Sequence, residues 1–198
     1  MAPLDFSLDA SASLVAPRLL GARLMHRTEA GSVTVRITEV EAYEGDGVDP
    51  ASHAFFGRTP RTASMYGPSG HLYAYFTYGM HVCCNVVCSP VGAASALLVR
   101  AGEVVAGVDL ARERRGRAVS DRDLARGPAR LTVALGIRLS DDGADLNRPP
   151  FSLESSSTPA RIARGPRTGI RLAADLPWRF WISADRFVSP YRRHPHAS

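Results

Sequence analysis

The sequence contains no lysine, because all 24 of its positively charged residues are arginine. An arginine guanidinium stays protonated, with a pKa above about 12, and therefore does not act as an amine nucleophile. Schiff-base chemistry is thus excluded for every side chain, and the N-terminal amine is the one remaining group that could perform it. We expect that amine to be a poor nucleophile, because it belongs to a terminal segment that is loosely held.

Patterns for metal binding and for membrane insertion are missing as well. Cys83, Cys84 and Cys88 form no C-x-x-C pair, and the six histidines show no H-E-x-x-H spacing. We predict neither a metal site nor a cofactor, and we interpret the cysteines as buried strand residues. No apolar run reaches the roughly 20 residues of a membrane helix, and the N-terminus lacks the features of a signal peptide. We expect a cytoplasmic protein that does not contact membranes.

Size and charge narrow the class of protein. A chain of 198 residues, 45% of them hydrophobic, predicts one globular domain over residues 1–198. The net charge of +5 and the pI of about 9.6 fit a polyanionic partner, although a basic enzyme without such a partner would carry the same charge. Nothing in the sequence indicates an oligomer, so we expect a monomer.

The spacing of apolar residues predicts a mixture of strands and helices. Apolar and polar residues alternate over 33–43, which indicates a strand with one buried face. The runs 71–77 and 80–88 flank Tyr78 and Gly79, a pair typical of a hairpin turn. Further strands are predicted over 22–27, 95–100 and 178–183, helices over 9–20, 104–115, 120–126 and 128–135, and loops over 44–70 and 141–160. A loop as long as the first inside a compact domain is usually functional.

Two carboxylates stand at the end of the strand over 33–43. Glu39 and Glu41 are two residues apart, so both side chains point to the same face of the strand. A pair of acids that runs into a long loop could include a general base. A solvated strand edge would look the same, and these two residues taken alone favour the edge.

The segment over 70–85 is rich in aromatic residues. Tyr73 and Tyr75 point the same way along their strand, and Tyr78 stands at the turn. An exposed aromatic side chain on a hairpin tip has the form of a wedge that could enter a base stack. Ordinary core aromatics would give the same pattern, and the three tyrosines alone favour that interpretation.

Two polar residues interrupt apolar strands. Asn85 follows Cys84, and Arg100 follows the run 97–99. If buried, the Asn85 amide must find hydrogen-bond partners, and the Arg100 guanidinium needs a carboxylate or another acceptor. Glu41 is a candidate partner for Arg100.

Long ordered motifs resemble one known family. The runs TEVEAYEG, ASHAFFGRTPRTASMYGPSGHLYAYFTYGMHVCCN, ALLVRAGE, RGPARLTVALGI and GPRTGIRLAADLPWRFW resemble the alkyladenine, or 3-methyladenine, DNA glycosylases that lack a helix-hairpin-helix. The resemblance extends over about residues 14–191. It implies a single mixed α/β (α+β) domain, built on a curved antiparallel sheet with flanking helices and a protruding hairpin that inserts into DNA.

The resemblance also implies an activity and the residues that perform it. The expected enzyme is a monofunctional DNA glycosylase of base excision repair, which flips an alkylated or deaminated purine out of double-stranded DNA and hydrolyses its glycosidic bond. Glu41 matches the general base that activates water. Arg100 and the backbone carbonyl near Thr168 match the groups that hold this water.

Other matched positions are expected to bind the flipped base and the DNA. Tyr43, His53 and Tyr75 match the walls of the base pocket, and His53 also matches a group that hydrogen-bonds the edge of the base. Asn85 matches the residue that crowds the 2-amino group of normal guanine, and Tyr78 matches the intercalating wedge. The candidates for phosphate contacts are Arg58, Arg61, Arg126 and Arg130.

Two other functions remain as alternatives. A protein that binds damaged or distorted DNA without catalysis would use the same wedge and arginines, but it would gain nothing from a buried carboxylate at Glu41 beside Arg100. A hydrolase of free nucleosides would need neither the wedge at Tyr78 nor the basic charge. An assay on a duplex with one lesion, together with a free nucleoside, separates the three.

Overall fold

An antiparallel sheet organises the computed structural model, which describes residues 3–77, 79–155 and 161–198. Within these residues the strands are β1 (Arg23–Thr28), β2 (Gly31–Glu44), β3 (Leu72–Thr77), β4 (His81–Val87), β5 (Ser95–Ala106), β6 (Phe151–Glu154), β7 (Ile162–Gly165) and β8 (Arg179–Ile182). The helices are α1 (Ala12–Leu19), α2 (Val108–Arg115) and α3 (Pro128–Leu135). The main order of strands is β3-β4-β5-β2-β1-β6, and β8 joins β7 to β2.

The long strand β2 is the centre of this sheet. Strand β5 pairs with it on one side, while β1 pairs with its first half and β8 pairs with Glu39–Glu41 on the other. The register between β2 and β5 shifts on both sides of Glu39, so that Thr38 and Arg100 have no directly opposite partner. Irregularities of this kind bend a sheet and redirect side chains. The sheet curls into a half-barrel, with the irregularity beside the two acids of β2.

The hydrophobic core lies against β2. Val33, Val35 and Ile37 are fully buried, and the residues between them are partly exposed, as the alternation predicts. From Thr38 to Ala42 every residue is buried, because β2 is covered on both faces there. Helix α1 packs against β2 and β5, and α3 packs against β4, β5 and β2. The expected mixed α/β fold on a curved antiparallel sheet is therefore confirmed.

Two of the predicted helices are wrong in extent. The helix predicted over 104–115 begins only at Val108, because β5 continues to Ala106 and pairs with β2. Arg36 and Glu103 face each other across these strands and form an ion pair of 2.7 Å. The helix predicted over 120–126 is a single 3-10 turn at Asp121–Asp123. In the first case strand pairing overrides the local preference of the sequence for a helix.

The segment predicted as a polar loop over 141–160 is also partly wrong. It contains β6, which pairs with β1 at the far side of the sheet, while residues 156–160 lie outside the described part. Strand β7 was not predicted, because its four residues are too few to establish an alternation. In the described part of the chain, no helix is long and apolar enough to cross a membrane.

Candidate active site

A cavity of about 280 Å³ opens beside the end of β2. It is lined by all seven residues that the sequence predicts for catalysis and for base binding: Glu41, Tyr43, His53, Tyr75, Asn85, Arg100 and Thr168. These residues come from β2, β3, β4, β5 and two loops, so only the folded chain brings them together.

Glu41 is a fully buried carboxylate in the wall of this cavity. The backbone N–H of Thr168 donates to its Oε1 at 2.7 Å, and the Tyr43 hydroxyl donates to its Oε2 at 2.9 Å. Burial and the neighbouring Glu41 charge raise the pKa of Tyr43 well above its usual value, so its hydroxyl keeps the proton that it donates. Glu39 is fully buried as well. The interpretation of the two acids as a solvated edge is therefore wrong, because β5 and β8 pair with β2 on both sides.

Arg100 lies between the two acids. Its Nε is 3.1 Å from Glu39 Oε1 and 3.6 Å from Glu41 Oε1, and it donates to Ser189 Oγ at 3.2 Å. Burial opposes the charged guanidinium, but the nearby Glu41 and Glu39 outweigh this effect and raise the pKa of Arg100. The expected carboxylate partner of Arg100 is present, and Glu39 is closer to it than Glu41.

Thr168 approaches the site through its backbone. The contact that the structure shows is its amide N–H on Glu41, whereas the resemblance implies a role for the neighbouring carbonyl. The amide fixes one oxygen of the carboxylate and places the segment around Thr168 in the wall of the cavity.

Aromatic rings form the other walls. The His53 ring lies edge-on against Tyr75, with centroids 4.6 Å apart, and its Nδ1 is 3.2 Å from the Tyr73 hydroxyl. His53 is exposed at the rim, but desolvation of its ring and the nearby Arg61 guanidinium lower its pKa to about 4. Its imidazole is therefore neutral near pH 7 and offers one donor and one acceptor.

Asn85 is buried in β4 and has the partner that the sequence requires. Its Nδ2 donates to the backbone carbonyl of Tyr73 at 3.0 Å across the β3–β4 pair. Tyr73 thus holds both Asn85 and His53, a supporting role that its position in an aromatic strand did not reveal. The amide of Asn85 has a fixed orientation in the cavity wall.

The sequence did not identify an ion pair behind the cavity. Asp49 and Arg167 are both buried, and the guanidinium donates to the two carboxylate oxygens at 2.6 and 2.8 Å. Arg167 also donates to the Ala42 carbonyl at 2.9 Å, and its guanidinium lies 4.6 Å from the centre of the Tyr43 ring. It therefore ties the loop that carries His53 to β2 and to the segment of Thr168. No local pattern joins two residues 118 positions apart.

The three cysteines are buried, as predicted. Cys84 and Cys88 belong to the hydrophobic core, whereas Cys83 lines the cavity. Burial raises the pKa of the Cys83 thiol, so it stays protonated. Among the residues that the structure describes, no cluster of histidine, cysteine and acidic side chains could hold a metal ion.

Two of the arginines predicted to contact DNA belong to the loop beside the cavity. Arg58 and Arg61 are both exposed. The Arg61 guanidinium lies 5.6 Å from the centre of the Tyr75 ring and 3.4 Å from the Phe76 carbonyl, so it stands at the mouth of the cavity. Arg61 is therefore placed where a ligand that enters the cavity would pass.

The other two arginines belong to the segment around the start of α3. Arg126 donates to the Val188 carbonyl at 2.8 Å and lies 3.3 Å from Asp123, whereas the more exposed Arg130 lies 3.7 Å from the same carboxylate. Arg126 is therefore engaged within the protein. Tyr78, the predicted wedge, lies outside the described residues.

Comparisons with known proteins identify the family of this chain. The family described as methylpurine-DNA glycosylase matches residues 6–186. A protein of Leifsonia xyli is 60% identical over 193 residues, which cover 94% of this chain and 91% of that protein. A protein of Streptomyces avermitilis is 51% identical over 186 residues, covering 91% and 87%, and one of Corynebacterium glutamicum is 45% identical over 193 residues, covering 98% of both. All three are provisionally named 3-methyladenine DNA glycosylase. The chain therefore belongs to the methylpurine-DNA glycosylase family.

Proposed function

We propose that this protein is a monofunctional DNA glycosylase that receives a flipped, alkylated or deaminated purine in the cavity and hydrolyses its glycosidic bond with water activated by Glu41. The observation that carries the proposal is a fully buried carboxylate in the wall of an aromatic-lined cavity. Family membership and the names of the relatives support DNA glycosylase activity on 3-methyladenine. The partner is double-stranded DNA with a damaged purine.

The need for base flipping follows from the position of the reactive bond. The glycosidic carbon is inaccessible inside a stacked duplex, so the nucleotide must leave the stack at a cost of a few kcal/mol. Tyr43 and Tyr75 line a cavity of about 280 Å³, and aromatic rings of this kind can stack on a flipped base. Neutral His53 offers hydrogen bonds to the edge of the base. A wedge at Tyr78 would fill the gap left in the stack.

The chemistry suits a single carboxylate. Alkylation at N3 or N7 makes the purine a cationic leaving group, so the enzyme needs mainly an oriented water and a negative charge near the developing oxocarbenium ion. The hydrogen bonds from Thr168 and Tyr43 orient the carboxylate of Glu41 and leave lone pairs for a water. Arg100 is close enough to help to hold that water.

Glu41→Gln tests this mechanism. The substitution keeps the shape of the side chain and removes the base, so we expect excision to fall by about 10²–10⁴-fold, the usual contribution of a general base. Binding of damaged duplex should stay within a few-fold. Enzyme in excess is mixed with DNA that was methylated with labelled dimethyl sulfate, and the released bases are measured by chromatography. Excision at a near wild-type rate would refute the role of Glu41.

Glu103→Gln is the matched control. Glu103 lies on β5, is partly exposed and pairs with Arg36, and it does not line the cavity. We expect its substitution to leave excision unchanged. If the wild-type protein binds damaged duplex but releases no base, the alternative of a non-catalytic binding protein holds. Release from free nucleosides at a rate comparable to that from duplex would instead indicate a nucleoside hydrolase.

A further inference from the structure

We propose that Glu39, the second buried carboxylate of β2, is a positioning residue for excision. Glu39 binds the Nε of Arg100, so that the terminal nitrogens of Arg100 can donate to ligands in the cavity and Glu41 stays free to act on water. The inference rests on the proposed role of Glu41 as the base.

Glu39, Arg179 and Ser189 form a buried network, the clamp, that contacts Arg100. The Oε1 of Glu39 accepts from Arg179 Nε at 2.6 Å and from Ser189 Oγ at 3.0 Å, and it lies 3.1 Å from Arg100 Nε. Its Oε2 accepts from the Ser189 N–H at 2.7 Å. A buried carboxylate is costly without such partners, and packed apolar residues often replace an ionic network at no loss of stability. Stability alone therefore gives little reason for this network.

Arg100 stands in the irregular part of β5, next to Ala101, which pairs with Glu39, and the Arg100 Nε contacts Glu39 and Ser189. Within the described residues, its two terminal nitrogens have no hydrogen-bond partner, and the side chain lines the cavity. The clamp thus fixes the plane of the guanidinium and leaves its terminal donors for a water or for the sugar phosphate of the substrate.

Because Glu39 is present, Arg100 interacts with two carboxylates instead of forming an ion pair with Glu41 alone. The Nε is closer to Glu39, at 3.1 Å, than to Glu41, at 3.6 Å. If Glu39 carried no charge, Arg100 would move towards Glu41 and form a tight ion pair with it. This pair would occupy the lone pairs of the Glu41 carboxylate and neutralise its negative charge. The water would then lose both a strong base and a correctly placed donor.

The groups that face Glu41 predict the direction of a pH effect. They are Glu39 and Tyr43 on β2, Tyr75 on β3, Cys83 on β4, Arg100 on β5 and Arg167 beside Thr168. Burial raises the pKa of Tyr75 and of Cys83, so both stay neutral. Glu39 is thus the other negative charge in this set. Both acids contact the Arg100 Nε, so replacing Glu39 by a neutral amide removes a negative charge beside Glu41 and should extend excision to lower pH.

The experiment compares Glu39→Gln with wild type in single-turnover excision of methylated DNA across a range of pH. We expect the maximal rate to fall by about 10–100-fold, because displacing a catalytic group by about 1 Å can slow a reaction by about 100-fold. The acid side of the pH–rate profile should move to lower pH, while binding of DNA changes by less than a few-fold. A structural role would lower the melting temperature without moving the profile. A folded variant with the wild-type rate or the wild-type profile overturns the proposal.

Ser189→Ala keeps the test decisive if Glu39→Gln does not fold. It removes one hydroxyl that contacts both Glu39 and Arg100 and leaves every charge in place. We expect a smaller loss of rate with an unchanged acid limb, and a wild-type rate would overturn the clamp. Glu41→Gln in the same series separates the two proposals. If it retains activity, the proposed function fails; if it is inactive while the Glu39 and Ser189 variants excise normally, only the clamp fails.

Discussion

Removal of the Asp49 carboxylate should both destabilise the protein and disorganise the cavity. Asp49 and Arg167 are fully buried side chains, and two hydrogen bonds of 2.6 and 2.8 Å join them. Among the described residues, Asp49→Ala would leave the buried Arg167 charge with the Ala42 carbonyl as its one hydrogen-bond partner. Breaking a buried pair in this way costs about 3–5 kcal/mol. For a chain of this size the melting temperature should therefore fall by roughly 6–20 °C.

Urea unfolding, followed by tryptophan fluorescence, measures this loss. Trp178 is a suitable probe because the Arg167 guanidinium lies 5.2 Å from the centre of its ring. Asp175→Ala is the matched control, since Asp175 forms an ion pair of the same 2.6 Å with Arg193 but on the surface. Exposed pairs contribute little, so its unfolding midpoint should barely change. Equal losses for Asp49→Ala and Asp175→Ala would refute the argument from burial.

A double-mutant cycle tests the pairing itself. Arg167→Met alone would leave Asp49 as an unpaired buried charge. The double variant Asp49→Ala/Arg167→Met contains neither charge, so no unpaired charge is buried. We therefore expect the double variant to be less destabilised than the two single losses added together, with a coupling of about 0.5–3 kcal/mol. Excision by the folded single variants should also be slower, because Arg167 ties the His53 loop to the segment of Thr168.

Three further outcomes are expected. Burial lowers the pKa of His26, and the pKa of His53 is lowered to about 4, so below pH 6.5 the unfolded chain binds more protons than the folded protein. The free energy of unfolding should therefore decrease as the pH falls from 6.5. Urea titrations across this range measure it, and a constant unfolding midpoint would contradict the argument. Because the chain has no lysine, borohydride added during turnover should trap no protein–DNA adduct, and a trapped adduct would indicate the N-terminal amine as nucleophile. Tyr78→Ala should slow excision from paired duplex more than from an unpaired lesion, whereas equal losses would assign Tyr78 a structural role.

The sequence by itself was enough to propose the residues of the candidate site. Its resemblance to a known family predicted seven of the residues that line the cavity, and its local patterns predicted β1, most of β2 and the β3–β4 hairpin. The polar residues Asn85 and Arg100 in apolar strands required buried partners, and the structure supplies them. The strands and the buried partners could be predicted because each depends on a local pattern or on the cost of an unpaired polar group.

Only the tertiary structure decided how these residues are supported. The sequence favoured a solvated edge for Glu39 and Glu41, but β8 pairs with β2 at these two residues and covers them, although it lies about 140 residues further along the chain. Comparable separations of 150 and 118 residues hid the contact of Ser189 with Glu39 and the pair of Asp49 with Arg167. A local pattern reports which face of a strand is apolar. It does not report which distant segment covers that face, because that depends on how the whole chain satisfies its buried charges.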